Sequence, residues 1–475
     1  MKKILALFLV FCMMISTLSV YAAEEVTEEP KEGPDASVTE GCHSLDAKKG
    51  ILGERQLISN CSAAFLYEYT TDSLMYSWNG DMRINPSSLV KILTALIAIE
   101  EGNIEDKVTI NLSSFDSLPH DAAKINLFDG EILTLEDLLN CMMLNSANNA
   151  AIAIAEHIAG TQDAFVNKMN DYAQELGCTD THFTNVHGMY DSNQYSTCRD
   201  IARIIDKAVE NEYFMKLFGA VYYTVPATNK CVDIRLLTTG NFHLTQDEME
   251  TYYDGRVTGG RTGVDTNDDR CLASTASKDG LDMICIVIGA KMSYDENGYT
   301  VYKFGGYREV SNLLDYGFDG YKASEILHEG QILRQLDIMN GECDLTLGSR
   351  KSVSTVIPSN VFLDDLNFVY SDAGSVHSAP IENGQYVTTV RITYGDLCLA
   401  EADLFAMNSV KTFEDSYYIE EKNGMGSKIW TIALIIILVL VGIVIVLWAL
   451  PRVRVLVRRN NRRRKHASQR RNPNA

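Results

Sequence analysis

No Cys-x-x-Cys occurs in the 475 residues, nor a nucleotide-binding glycine loop, nor an internal repeat. With eleven cysteines at wide, irregular spacings, the first absence argues against a metal site, and nothing in the pattern calls for a cofactor. Basic charge is scarce outside the ends: 42 Lys and Arg stand against 63 Asp and Glu, a net charge of -21, and ten of the basic residues lie beyond residue 450. So acidic a body excludes a broad face for nucleic acid, and an anionic substrate must be met by a few local cations. Apolar residues at 46% and charged ones at 22% exclude wholesale disorder, and the length allows two or three domains.

The two ends address the compartment. Lys2-Lys3 precede the apolar run Ile4 to Val20, and Val20-Tyr21-Ala22 sets small residues at the -3 and -1 positions of a cleavage site after Ala22. Residues 1–22 therefore read as a secretory signal peptide. Ile429 to Leu450 holds no charge, and as a helix would be about 33 Å long, enough to cross a bilayer. Trp430 and Trp448 flank it, and residues 451–475 follow with ten basic and no acidic side chains. The positive-inside rule puts that tail in the cytoplasm and the preceding chain outside. The expected topology is a single-pass cell-membrane protein with a C-terminal transmembrane helix at 429–450. Export permits disulfides among the ten cysteines left after cleavage, although Cys141 and Cys285 lie in apolar runs and read as buried core.

Residues 23–43 form an acidic linker. From 44 to 322, apolar strand-like runs alternate with helical stretches. Ala63 to Trp78 reads as a hairpin, Ser88 to Glu101 as a helix stopped by Gly102, and Thr134-Leu135-Glu136-Asp137 as a capping box with Asp in place of Glu. Ala150 to Ala159 and Asp163 to Leu176 read as further helices; Cys271 to Ala276 and Met283 to Ala290 read as neighbouring buried strands. Residues 323–410, with short alternating segments at Gln331–Ile338, Val353–Val361 and Val387–Tyr394, read as a small all-β domain, and 411–428 as a stalk.

Chemistry concentrates in three places. Ser88-Leu89-Val90-Lys91 is the one Ser-x-x-Lys in the chain. Three-residue spacing on a helix puts hydroxyl and amine on one face, and a serine in the first turn lies where free N–H groups stabilise an oxyanion. A desolvated Lys91 could then take the serine's proton. Taken alone, a surface serine and lysine would be the blander reading. Ser146-Ala147-Asn148 stands between two helices, and Arg261-Thr262-Gly263 just before the Cys271 strand. Ser-x-x-Lys, Ser-Asp-Asn and Lys-Thr-Gly in that order form the signature of class A β-lactamases and penicillin-binding proteins, and the same order recurs here with two variations.

The likeness extends further. Arg83-Ile84-Asn85-Pro86-Ser87-Ser88-Leu89-Val90-Lys91-Ile92-Leu93-Thr94 resembles the Arg-x-x-Pro-Ala-Ser-x-x-Lys-x-x-Thr segment of the serine-type D-alanyl-D-alanine carboxypeptidases, the low-molecular-mass penicillin-binding proteins. Phe165 to Asp200 resembles their long middle signature, Leu313 to Phe318 the close of their catalytic domain, and Ala379 to Gln385 a turn in their C-terminal β domain. The resemblance implies an α+β fold, with a β-lactamase/transpeptidase-like catalytic domain (an antiparallel sheet with a helical cluster) followed by the small all-β domain. It implies that Ser88 attacks the carbonyl between the two terminal D-alanines of a peptidoglycan stem peptide, that Lys91 is the general base, and that Ser146 passes the proton to the leaving D-alanine. Asn148 would bind the substrate backbone, and the N–H groups of Ser88 and Val264 would form the oxyanion hole. Arg261 and Thr262, with Gly263, would bind the terminal carboxylate, and β-lactams would acylate Ser88.

Two departures stand out. Position 261 holds Arg where the family has Lys, and Gly306 falls where the family carries an arginine, with Arg308 two residues off. They keep open a catalytically impaired wall-binding or β-lactam-sensing protein. A β-lactamase is the other alternative, though no Glu-x-x-Asn lies between 161 and 200. His182 and His187, inside the middle signature, read as structural hydrogen-bonding residues.

Overall fold

The computed structural model describes residues 44–413, apart from 48–49, 53–56, 59, 247–251, 265–268, 292, 295–299, 303–304 and 373–376, together with 435–436 and 438–439. The signal peptide, the acidic linker and the basic tail lie outside the described residues, as do nearly all of the stalk and of the 429–450 span. Among the described residues no helix is long and apolar enough to cross a membrane.

A hairpin starts the fold. β1 (Ala63–Glu68) and β2 (Ser73–Trp78) pair antiparallel, as their aliphatic and aromatic runs predict. Asp72 turns the chain with φ of 50°. The buried Glu68 closes the hairpin by accepting from the Thr71 N–H at 2.8 Å and, across the sheet, from the Asp282 N–H at 3.0 Å. A buried carboxylate needs such donors. Two short antiparallel pairs follow, β3 (Lys107–Thr109) with β4 (Ile132–Thr134) and β5 (Tyr222–Val225) with β6 (Arg235–Thr238).

β7 (Val257–Val264), β8 (Arg270–Lys278) and β9 (Leu281–Ala290) complete a five-stranded antiparallel sheet of order β2-β1-β9-β8-β7. β7 is therefore an edge strand. β8 and β9 are buried along nearly their whole length because helices cover both faces.

One face carries α1 (Val90–Glu101), α2 (Leu135–Asn145), α3 (Asn148–Ala159), α4 (Gln162–Glu175), α5 (Cys198–Val209) and α6 (Glu212–Phe218). Their apolar residues, among them Leu93, Leu96, Leu138, Ile152, Phe165 and Ile205, form one core with Phe65, Ile284 and Ile286 of the sheet. α7 (Gly305–Gly320) covers the other face through Val310, Leu313, Leu314 and Phe318, against Leu66, Leu272, Met283 and Val287.

The expected capping box at α2 is present: the Thr134 hydroxyl accepts from the Asp137 N–H at 3.0 Å, and Asp137 Oδ2 accepts from the Thr134 N–H at 2.9 Å. The helix expected from Ser88 differs. Pro86 and Ser87, the latter with φ of 50°, lead into a 3-10 turn, Ser87–Leu89, and the α-helix proper begins at Val90.

Two short strands, β10 (Ser293–Tyr294) and β11 (Thr300–Tyr302), pair after the sheet. Among the described residues from 321 to 413, seven strands follow: β12 (Tyr321–Leu327), β13 (Ile332–Leu336), β14 (Leu345–Ser349), β15 (Val353–Pro358), β16 (Asn367–Tyr370), β17 (Tyr386–Tyr394) and β18 (Leu397–Ala406). Two compact units are distinguished. The first runs through Leu327 and takes in 352–371 and 390–402; the second holds 328–351, 372–389 and the residues from Asp403 on. In the first, β12 pairs with β15 and β16 with β17, Asn367 opposite Thr393; in the second, β13 pairs with β14, and Leu347 of β14 lies opposite Ala406.

Cys61, Cys141, Cys178, Cys198, Cys231, Cys271, Cys285 and Cys343 form no disulfide, while Cys398 is disulfide-bonded. Cys141 and Cys285 are fully buried, as their apolar surroundings predict.

Candidate active site

Four segments distant in sequence meet beside the start of α1. Ser88 sits half-buried in the 3-10 turn, and one helical turn on, Lys91 is wholly buried with its Nζ 3.2 Å from Ser88 Oγ. Nζ also donates to the carbonyl of His187. Burial first, and the nearby Arg261 charge second, push the Lys91 pKa well below the ordinary lysine value. That favours the neutral amine, the form able to take a proton.

The second segment is the joint between α2 and α3. Ser146 caps α2 in the left-handed region, φ 57° and ψ 24°, and Ala147 starts α3. This bend brings Ser146 Oγ to 3.4 Å from Ser88 Oγ. Asn148 is buried in the first turn of α3, where its N–H donates to Ala123 O at 2.8 Å.

β7 supplies the third segment. The Arg261 guanidinium, 3% exposed, donates from Nη2 to Ser146 Oγ at 2.6 Å, from Nη1 to Met143 O at 2.7 Å and from Nε to Ser88 O at 3.3 Å. Each of its three nitrogens is committed to the scaffold of the site, and burial draws its pKa down to about 10. Thr262 and Gly263 line an adjoining cavity. A Cβ at Gly263 would stand 3.1 Å from Ser87 Oγ and 3.2 Å from Ser88 N, so glycine there lets β7 lie against the nucleophile's turn.

The loop 185–189 is the fourth. The Thr94 hydroxyl of α1 donates to Val186 O at 2.8 Å, and Asn185 Oδ1 accepts from the Gly188 N–H at 2.7 Å. Gly188, with φ of 80°, passes so close to the nucleophile's turn that a Cβ would lie 1.9 Å from Ser87 O. Burial and the Lys91 charge lower the His187 imidazole pKa to about 4, and its Nδ1 accepts from the Met189 N–H at 3.2 Å. Its ring shapes the loop while its carbonyl holds Lys91. His182 pairs through its backbone with Tyr195.

Ser87 was not singled out by its sequence. Its Oγ donates to Val264 O at 2.6 Å and accepts from the Val264 N–H at 3.2 Å. The Val264 N–H expected in an oxyanion hole thus already has an acceptor. The one available signal is a second hydroxyl at 87, where the resembled segment carries alanine.

A nucleophilic hydroxyl, a desolvated amine on the same turn, a second serine held by a buried cation, and backbone N–H groups can together transfer an acyl group. The family model for D-alanyl-D-alanine carboxypeptidase matches residues 54–292, just over half of the chain. The chain belongs to the D-alanyl-D-alanine carboxypeptidase family. It is a serine peptidase. The D-alanyl-D-alanine carboxypeptidase DacF of Bacillus subtilis is 26% identical over 374 residues, 78% of this chain and 90% of that protein. DacA of Haemophilus influenzae is 28% identical over 354 residues, 73% of this chain and 84% of that one. Penicillin-binding protein 5 from Haemophilus influenzae has a similar structure, with a TM-score of 0.61 at 26% identity, covering 76% of this chain and all of that one.

Two outcomes are expected on an acylated D-Ala-D-Ala peptide. Arg261→Gln removes the positive neighbour of Lys91, so the Lys91 pKa rises and the acid limb of the kcat/KM profile moves to higher pH. An unmoved limb would mean that Arg261 does not tune the base. Ser87→Ala frees the Val264 N–H and is expected to raise kcat/KM about 2- to 10-fold, the worth of one hydrogen bond no longer displaced. A fall would show that the Ser87 hydroxyl steadies β7 instead.

Proposed function

We propose that this protein removes the terminal D-alanine from peptidoglycan stem peptides through an acyl-enzyme on Ser88, and that β-lactams acylate the same hydroxyl. The observation that supports it most is the buried Lys91 amine 3.2 Å from Ser88 Oγ, beside Ser146 at 3.4 Å. In this reading Lys91 Nζ takes the Ser88 proton as Oγ bonds to the carbonyl carbon of the penultimate D-alanine. The oxyanion draws on the N–H groups of Ser88 and Val264, the latter released by Ser87. Ser146 relays a proton to the departing amine, and Asn148 holds the substrate backbone. Water then cleaves the ester and Ser88 regains its proton. The Arg261 guanidinium orients Ser146 throughout and adds to burial in favouring the neutral Lys91 amine before the attack.

Ser88→Ala is expected to abolish both D-alanine release and labelling by a fluorescent penicillin. Labelling without release in the wild type would favour the sensing alternative, and rapid turnover of the penicillin the β-lactamase.

The reading includes an ectodomain outside the cell, exported by residues 1–22 and anchored by 429–450, with 451–475 in the cytoplasm. The uncharged run and the ten basic residues after it support this. The full chain is expected to fractionate with membranes and a chain ending at 428 to be released; equal partition of both would refute the anchor.

A further inference from the structure

The start of α3 holds a stretch of chain that the chemistry described above does not use. The Asn148 N–H donates to Ala123 O at 2.8 Å. The buried Asn149 clasps the backbone of Ile125 from both sides: its Oδ1 accepts from the Ile125 N–H at 3.2 Å, and its Nδ2 donates to Ile125 O at 2.8 Å. An amide side chain thus pairs with the chain as a neighbouring strand would. Residues 123 and 125 are fixed through their backbones, and Lys124 stands between them, exposed.

So acidic a chain must meet an anionic ligand with a local cation. The segments that build the site, 83–94, 143–149, 185–191 and 257–264, carry Arg83, Lys91 and Arg261 as their lysines and arginines. Each is committed. Arg83 pairs with Asp180 at 2.7 Å, Lys91 is wholly buried, and Arg261 is spent on Ser88, Met143 and Ser146. Lys124, in the segment held by Asn148, is the cation left over. Its Nζ donates to Pro119 O at 3.1 Å, and among the described residues it has no carboxylate partner. A carbonyl is a neutral acceptor. A carboxylate makes a stronger, charge-assisted bond, and the flexible four-carbon stem of lysine lets the ammonium exchange one for the other.

We propose that Lys124 pairs with a free carboxylate on the residue that precedes the D-Ala-D-Ala pair, so that this chain prefers stem peptides acidic at that position. The inference rests on the carboxypeptidase reading above. There Ser146 serves the departing D-alanine and Asn148 holds the substrate backbone, so a side chain presented beside Asn148 meets residues N-terminal to the cleaved bond. The clasp by Asn149 fixes where the stem of Lys124 begins, and solvent around it keeps the contribution to that of an exposed ion pair.

The test measures D-alanine release by the full chain from two peptides of equal shape, N-acetyl-L-glutamyl-D-alanyl-D-alanine and its L-glutaminyl counterpart. The wild type is expected to favour the glutamyl peptide in kcat/KM about 2- to 5-fold, the worth of one exposed ion pair. Lys124→Gln is expected to bring that ratio to one, Lys124→Glu to invert it and Lys124→Arg to keep it. Raising the salt to about 1 M, where charges are screened within roughly 3 Å, is expected to flatten the wild-type ratio. The ratio is read within each variant, so a variant that folds poorly and loses both substrates alike does not imitate the effect. A wild-type ratio of one, a ratio that Lys124→Gln leaves in place, or one that salt does not reduce would overturn the assignment. A wild type that releases D-alanine from neither peptide would overturn the carboxypeptidase reading, and the assignment with it.

Discussion

A buried guanidinium beside a buried amine is the constraint around which this site is built. Two cations so close in a desolvated space cannot both hold their charge cheaply. The arginine keeps its proton because its delocalised charge is shared among Ser88 O, Met143 O and Ser146 Oγ. The lysine is left as the group that gives up a proton. The same guanidinium therefore does two things at once: it fixes the second serine and adds to the burial that lowers the pKa of the base. A lysine at 261 would have fewer fixed donors to spread over three acceptors.

That arrangement needs two elements to present oxygen atoms to a guanidinium carried by a third. The sheet edge supplies the arginine, the end of α2 supplies Met143 O and Ser146, and the 3-10 turn supplies Ser88 O. The helix joint at 145–148 accomplishes this by one residue in the left-handed region rather than by a long loop. The capping box at the other end of α2 fixes where that helix begins, so its length decides where Ser146 falls.

Most of the scaffold was legible in the order of residues. The hairpin, the helices at 135 and 148, and the paired strands at 271 and 283 follow from periodicity and capping chemistry, and the structure has them within a few residues. The residues that meet were legible as three motifs in a familiar order. What they do to one another was not. The motif names Arg261 as a residue type, whereas the direction of its guanidinium depends on three acceptors from two other elements. The Val264 N–H and the His187 carbonyl are backbone groups that leave no mark in a sequence. Ser87 is a single hydroxyl whose importance depends on lying across from the end of β7.

Gly188 carries a consequence of a different kind. Any side chain there would drive into the carbonyl that precedes the nucleophile. The middle loop can hold Lys91 by a carbonyl only because the chain at 188 takes a path that L-residues with a β-carbon rarely follow. The enzyme is thus vulnerable at a spot that has no chemistry of its own. Mutational inheritance at 188 is closed for steric reasons, and drift in the surrounding loop must proceed without it.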